Sequence, residues 1–205
     1  MKTIYLIRHS GPFVEIENYD KEKWDDFNRN MILSSIGEEK AKKLCNINEL
    51  HNIKDIYSSA SARAIATIKY LVEYNNSNLK VDNRINEREF GIEYLSDLPD
   101  NFVLNQFNNK DLKYKNGESL NEVSKRFNSF INEFLDSDCD KCILCVHGIV
   151  LMNYLSEFCD FEFDGNNFNL SFNNNSIING KMSNPDIYKV IYDKNKVVNI
   201  RRIEI

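Results

Sequence analysis

Residues 3–10 read TIYLIRHS. Thr3 to Ile7 form a short run of β-branched, aromatic and aliphatic side chains with no polar alternation. Such a run reads as a strand buried on both faces, as in a parallel sheet covered by helices. It stops abruptly at Arg8-His9. The same grammar recurs twice. DIYSS (55–59) reads as a strand ending in a serine pair. A helix is expected to follow from about Ala60, with Arg63 in its first turn and Ile65, Ile68, Leu71 and Val72 at helical spacing. CILCV (142–146) reads as a third strand, ends at His147-Gly148 and leads into GIVLMNYLSEF (148–158), a helix buried over much of its surface. Strand, polar end and helix in repetition predict an α/β protein: three layers, α/β/α, around a mostly parallel sheet.

The remaining segments fit around that frame. Residues 10–33 read as an irregular excursion with a short helix near Trp24 and Phe27. A helix is expected from Ser34 or Ser35, where Ser35 and Glu38 have capping-box spacing and Ile36, Ala41 and Leu44 lie along one face. Ser119–Leu135 is the clearest helix. Ser119 and Glu122 form a capping box, and Leu120, Val123, Phe127, Phe130, Ile131, Phe134 and Leu135 make one apolar stripe. Residues 82–116 are mixed and contain Pro99, so they read as loop with some helix, including a small inserted cap at about 92–116. IYKVIY (187–192) and VVNIRRI (197–203) read as strands joined by a hairpin turn at 193–196. Residues 1–205 are expected to form one domain carrying the cap.

The bulk numbers set limits. A chain of 205 residues can bury a core without disulfides or a structural metal. A net charge of −5 argues against general nucleic-acid or anionic-membrane binding. The many Tyr and Phe residues are not interleaved with a basic patch, which again leaves nucleic acid unsupported. No apolar run approaches the roughly 18 residues that span a bilayer. MKTIYLI is too short for a signal segment and is followed at once by Arg8 and His9, so a cytoplasmic location is expected. An odd count of five cysteines fits a reducing compartment. Cys139, Cys142 and Cys145 have metal-site spacing, but Cys142 and Cys145 fall in a strand at an odd separation and face opposite ways. They read as small core residues, and no metal or cofactor is expected.

Ligands of open parallel sheets bind beyond the carboxyl ends of the strands. If the three strands are neighbours, Arg8, His9, Arg63 and His147 meet there. Two of the three histidines then stand with two arginines. Cationic donors gathered in one place call for an anion, and phosphate suits the planar fork of arginine. His51 lies in a polar stretch and receives no role.

These segments, in order, resemble the histidine phosphatase superfamily, which includes the cofactor-dependent phosphoglycerate mutases. LIRHS is similar to the opening arginine–histidine motif. LSSIGEEKA, IYSSASARAIAT, INEREFG, NGESLNEVSKRF and CVHGIVL resemble the successive later motifs, over about residues 3–155. The resemblance implies that His9 attacks phosphorus and forms a phosphohistidine. It implies that Arg8, Arg63 and His147 hold the phosphate oxygens and that Glu87 is the general acid. A backbone carbonyl just after His9 is expected to fix its tautomer. A carboxyl group beside a phosphate anion holds its proton more tightly, as an acid needs. Periodicity alone does not choose between Glu87 and Glu89; the motif position points to Glu87.

Two departures stand out. Ser10 follows His9 where the family usually has glycine, so either its hydroxyl joins the pocket or Gly11 makes the turn. Pro12 and Phe13 replace the polar residues that usually follow. The expected partner is a small phosphorylated metabolite, with a homodimer left open. Lys110, Lys113 and Lys115 suggest that the cap recognises a polar or multiply charged substrate. Two other functions fit the same motifs: a phosphoglycerate mutase-like phosphotransferase and a non-catalytic phosphate-binding module. Mutases of this family usually carry longer insertions to exclude water, so the short chain favours hydrolysis.

Overall fold

The computed structural model describes residues 1–14 and 23–205. The part of the 10–33 excursion at 15–22 lies outside the described residues. The central sheet has six strands: β1 (Lys2–Arg8), β2 (Asp55–Ser58), β3 (Asn78–Val81), β4 (Lys141–Val146), β8 (Asp186–Asp193) and β9 (Lys196–Ile203). Their order is β3-β2-β4-β1-β8-β9. The first four are parallel, and β8 and β9 add an antiparallel edge.

Alternation along the buried strands divides the core into two layers. Ile4 and Leu6 of β1 and Cys142, Leu144 and Val146 of β4 face one side. Tyr5, Ile7, Ile143 and Cys145 face the other. The first side is covered by α5 (Leu120–Asp136) and α6 (Gly148–Leu155). The second is covered by α3 (Ala62–Tyr74) and the short helical turns around Leu44 and Leu50. Cys142 and Cys145 therefore end in different cores, both fully buried. The α5 stripe buries Leu120, Val123, Phe127, Phe130, Ile131 and Phe134. Its start is closed by Ser119 and Glu122 in a capping box, which satisfies two otherwise orphaned backbone N–H groups.

The other helices are α1 (Trp24–Asn30), α2 (Ser35–Lys43) and α4 (Phe102–Asn108). The cap of α2 corrects the sequence reading. Ser34, not Ser35, is the N-cap, and its hydroxyl accepts from Gly37 N at 3.0 Å. Within the expected cap at 92–116 lie a short helical turn at Leu95–Asp97 and α4.

The sequence reading missed β3 and a second sheet. β3 has only four residues, Asn78–Val81, sits at the sheet edge and is mostly exposed, so its two-residue alternation is too short to stand out. The second sheet is antiparallel: β5 (Asp160–Phe163), β6 (Phe168–Phe172) and β7 (Asn175–Gly180), in that order. Its signal was an asparagine turn. Asn173 and Asn174 join β6 to β7 with φ of 51° and 63°, the left-handed pair that a tight hairpin demands. Phe168, Leu170, Ile177 and Ile178 bury one face of this sheet in the α5–α6 core. No helix among the described residues is long and apolar enough to cross a membrane.

Candidate active site

The register brings three strand ends together. Arg8 pairs with Val146, and Ser58 pairs with Cys145. The ladder continues one residue further: His9 N donates to Val146 O at 3.0 Å, and Ser59 N donates to Cys145 O at 3.1 Å. His9, Ser59 and His147 therefore leave the sheet side by side. Arg63 reaches the same point from the first turn of α3, its side chain buried to 3% exposure.

The hydrogen bonds among these groups assign the protons. His9 Nδ1 lies 2.7 Å from Ser10 O, a carbonyl that can only accept, so Nδ1 carries hydrogen. Nε2 is then the lone-pair nitrogen, and it accepts from Arg63 Nε at 3.0 Å. Arg63 Nη2 lies 3.0 Å from His147 Nδ1; guanidinium only donates, so that nitrogen accepts. The His147 hydrogen sits on Nε2 and is donated to Ser59 Oγ at 2.7 Å. Arg63 Nη1 donates to the backbone carbonyl of Asn28 in α1.

Burial explains why both imidazoles stay neutral. Desolvation, followed by the charge of Arg63, pushes the His9 pKa down to about 3. His147, at 0% exposure, is held well below the ordinary histidine value, again chiefly by burial and then by Arg63. The two rings lie 5.1 Å apart. Burial also lowers Arg8 and Arg63, with Glu87 opposing it in each case.

Arg8 is held from the far side of the sheet. Its Nη1 donates to Met182 O and Ser183 O, both at 3.2 Å, while the buried Nε has no partner among the described residues. Gly148 makes room for it, since a Cβ there would stand 3.3 Å from Arg8 Nε. An unpartnered buried guanidinium N–H beside two neutral imidazoles is a place for an oxyanion.

Ser10 answers the question raised by its position. Its hydroxyl donates to Gly37 O at 2.7 Å and its N–H to Thr67 Oγ1 at 2.8 Å, so it ties the His9 loop to α2 and α3. It does not line the cavity in front of His9. That cavity has a volume of about 450 Å³, and Arg8, His9, Arg63 and Glu87 all line it. Glu89 does not; it is exposed and pairs with Arg29 at 3.4 Å. Glu87 is fixed through its neighbours. Arg88 N donates to its Oε1 at 2.9 Å, and Arg126 Nη2 donates to its backbone O at 3.2 Å. The five residues expected at the site thus meet: four on the cavity wall and His147 directly behind Arg63. Sequence reasoning gave no role to Ser59 or Asn28, whose contacts arise only when distant segments meet.

None of residues 92–116 lines this cavity. Lys110 donates to Ser156 Oγ at 2.9 Å, Lys113 pairs with Glu122 at 2.6 Å, and Lys115 lies over Tyr114. The expectation that these lysines meet the substrate is therefore corrected: Lys110 and Lys113 tie the segment to Ser156 and to Glu122 of α5, and Lys115 packs on its own neighbour Tyr114.

Two neutral imidazoles and two arginines at the carboxyl edge of a three-layer sheet define an α/β protein built to handle an oxyanion at a buried histidine. The chain belongs to the histidine phosphatase superfamily, branch 1, whose model matches residues 4–186. No curated protein matches it in sequence. Among solved structures it is similar to mycobacterial glucosyl-3-phosphoglycerate phosphatase in complex with inorganic phosphate (16% identity, TM-score 0.70, covering 100% of this chain and 96% of that one). It is also similar to YhfR of Bacillus stearothermophilus (18% identity, TM-score 0.71, 96% and 94% covered). A third is a putative α-ribazole-5′-phosphate phosphatase of Escherichia coli (17% identity, TM-score 0.60, 89% and 97% covered). At these identities the likeness is one of fold.

Proposed function

We propose that the protein hydrolyses a small phosphomonoester through a phosphohistidine on His9, without a metal ion. The observation that carries this reading is the state of His9: neutral, with Nδ1–H tied to Ser10 O and the Nε2 lone pair turned toward Arg63. This nitrogen needs no base to activate it. An incoming phosphoryl group takes over the donors of Arg63 and the free Nε of Arg8, which releases the lone pair for in-line attack.

The first step forms the Nε2–P bond and breaks the P–O bond to the alcohol. Glu87 gives its proton to the departing oxygen. In the second step water attacks phosphorus and loses its proton to Glu87. The N–P electrons return to His9, and inorganic phosphate leaves. His147 contributes through Arg63: its Nδ1 accepts from Arg63 Nη2, and Ser59 Oγ, accepting from Nε2–H, holds that tautomer, so the guanidinium stays aimed at the phosphate oxygens. The phosphatases among the protein's structural relatives support hydrolysis over the mutase reading.

The test is phosphate release from p-nitrophenyl phosphate and a panel of metabolite phosphates, in EDTA, by the wild type and His9→Ala. Release by the wild type and a loss of at least ~1,000-fold in the variant are expected. EDTA-sensitive release that survives His9→Ala would overturn the proposal. No release by folded wild type would move the weight to phosphotransfer or to simple phosphate binding.

A further inference from the structure

Beyond the phosphate corner, the cavity is walled mainly by carbon. Trp24, Phe90 and Phe168 supply aromatic surface, and Met31, Met182 and Ile149 fill between them. Pro12, one of the residues that replace the usual polar ones after His9, and Val14 belong to the same wall. The aromatic parts are held in place. Trp24 meets Phe90 edge-on at 6.0 Å, and Phe168 stacks on Phe163 at 4.3 Å. Among the described residues, the polar groups outside the phosphate corner are two amides, Asn28 and Asn166, and the exposed Lys181. Asn28 also accepts from Arg63 Nη1, through its backbone carbonyl.

Such a wall discriminates by desolvation. A sugar or polyol brings several hydroxyl groups, and each loses water against tryptophan, phenylalanine or methionine without a replacement partner. Outside the phosphate corner, the one cation among the described lining residues that could receive a second phosphate or carboxylate is the exposed Lys181, which water screens. A flat apolar group gains contact on rigid rings, and the two methionines adapt around it. The volume of about 450 Å³ lies within the range for small-ligand pockets and accommodates such a group together with its phosphate.

We propose that the site selects monoesters whose alcohol part is apolar and ring-sized, over sugar phosphates and multiply anionic phosphates. This rests on the phosphatase reading and narrows it. The wall also locates the selectivity: it comes from the segments around Trp24, Phe90, Ile149 and Phe168.

The experiment compares esters with alcohols of similar leaving ability, so that binding rather than chemistry sets the difference. Benzyl phosphate is measured against glucose 6-phosphate and glycerol 3-phosphate, with 3-phosphoglycerate as the multiply charged case. A kcat/KM at least about tenfold higher for benzyl phosphate is expected. Met31→Asn and Ile149→Asn, half-buried positions on the wall, should each lower that advantage several-fold. Competitive inhibition by inorganic phosphate, which needs only the phosphate corner, should stay within about twofold of wild type. Equal or faster hydrolysis of the sugar or carboxylate esters would overturn the selectivity while leaving the phosphatase reading intact. Variants that weaken inorganic phosphate as much as benzyl phosphate would also overturn it, since the wall would then act only through the fold. No hydrolysis of any ester would instead overturn the phosphatase reading and this inference with it.

Discussion

At the scale of single residues, the site depends on histidines that burial keeps neutral. For His9 the folded chain resists protonation until about pH 3, whereas the unfolded chain takes the proton near 6.5. The unfolded state then binds more protons between those values, so stability falls as pH drops through 6.5. His9 contributes up to ~1.4 kcal/mol per pH unit to that fall. Replacing it by asparagine should flatten the curve: urea unfolding at pH 7.5, 6 and 5 should show the wild type losing more stability than His9→Asn. Parallel curves would mean that His9 is not a buried neutral group. Ser59 offers a second test. Ser59→Ala leaves the fully buried His147 Nε2–H without its acceptor. A loss of about 1–3 kcal/mol in stability and about tenfold in kcat/KM is expected. Unchanged kinetics would remove Ser59 from the mechanism.

At the scale of elements, local chemistry and tertiary contact can be separated. The start of α5 is held by Ser119 and Glu122, away from the cavity lining. Ser119→Ala should cost about 1 kcal/mol in urea unfolding and leave phosphate release unchanged. Gly37 in the first turn of α2 is different. A Cβ there would lie 2.0 Å from Gly11 O, in backbone that carries the His9 loop. Gly37→Ala should therefore cost about 3 kcal/mol and reduce activity together with stability. The two variants distinguish a helix that only supports the sheet from one that presses on the His9 loop.

At the scale of the whole molecule, the antiparallel edge anchors Arg8 at the strand-end site. Asp186, 2% exposed, accepts from Arg202 Nε at 2.7 Å, Tyr188 OH at 3.0 Å and Ser183 N at 3.2 Å. This holds the 182–186 turn whose carbonyls receive Arg8. Asp186→Ala removes the shared acceptor and strands three donors. About 2–3 kcal/mol of stability should be lost, with a rise in KM larger than the fall in kcat, because Arg8 is displaced before His9 is touched. Equal effects on both constants would argue that the edge serves stability alone.

The buried strands at 3–7 and 142–146, the α5 stripe and the strand-end placement of Arg8, His9, Arg63 and His147 were legible in the sequence. Each is a local pattern: a run without alternation, a helical period, a polar pair that stops a strand. Glu87 was legible only through its motif, because the segment that carries it has no period to read. The edge strand at 78–81 and the 160–180 sheet were not read, because their strands are short and the second sheet is broken by many asparagines. Yet five of the seven non-glycine residues with positive φ among those described are asparagines, so this composition makes turns. What only the tertiary structure decided was proximity. Glu87 rather than Glu89 lines the cavity with His9, Ser59 accepts the hydrogen bond of His147 Nε2–H, and an apolar wall rather than the lysines of 92–116 lines the cavity. Sequence determines which groups the chain carries and which face of an element they occupy; the crossing of distant segments determines which of them meet, and burial then sets their charge.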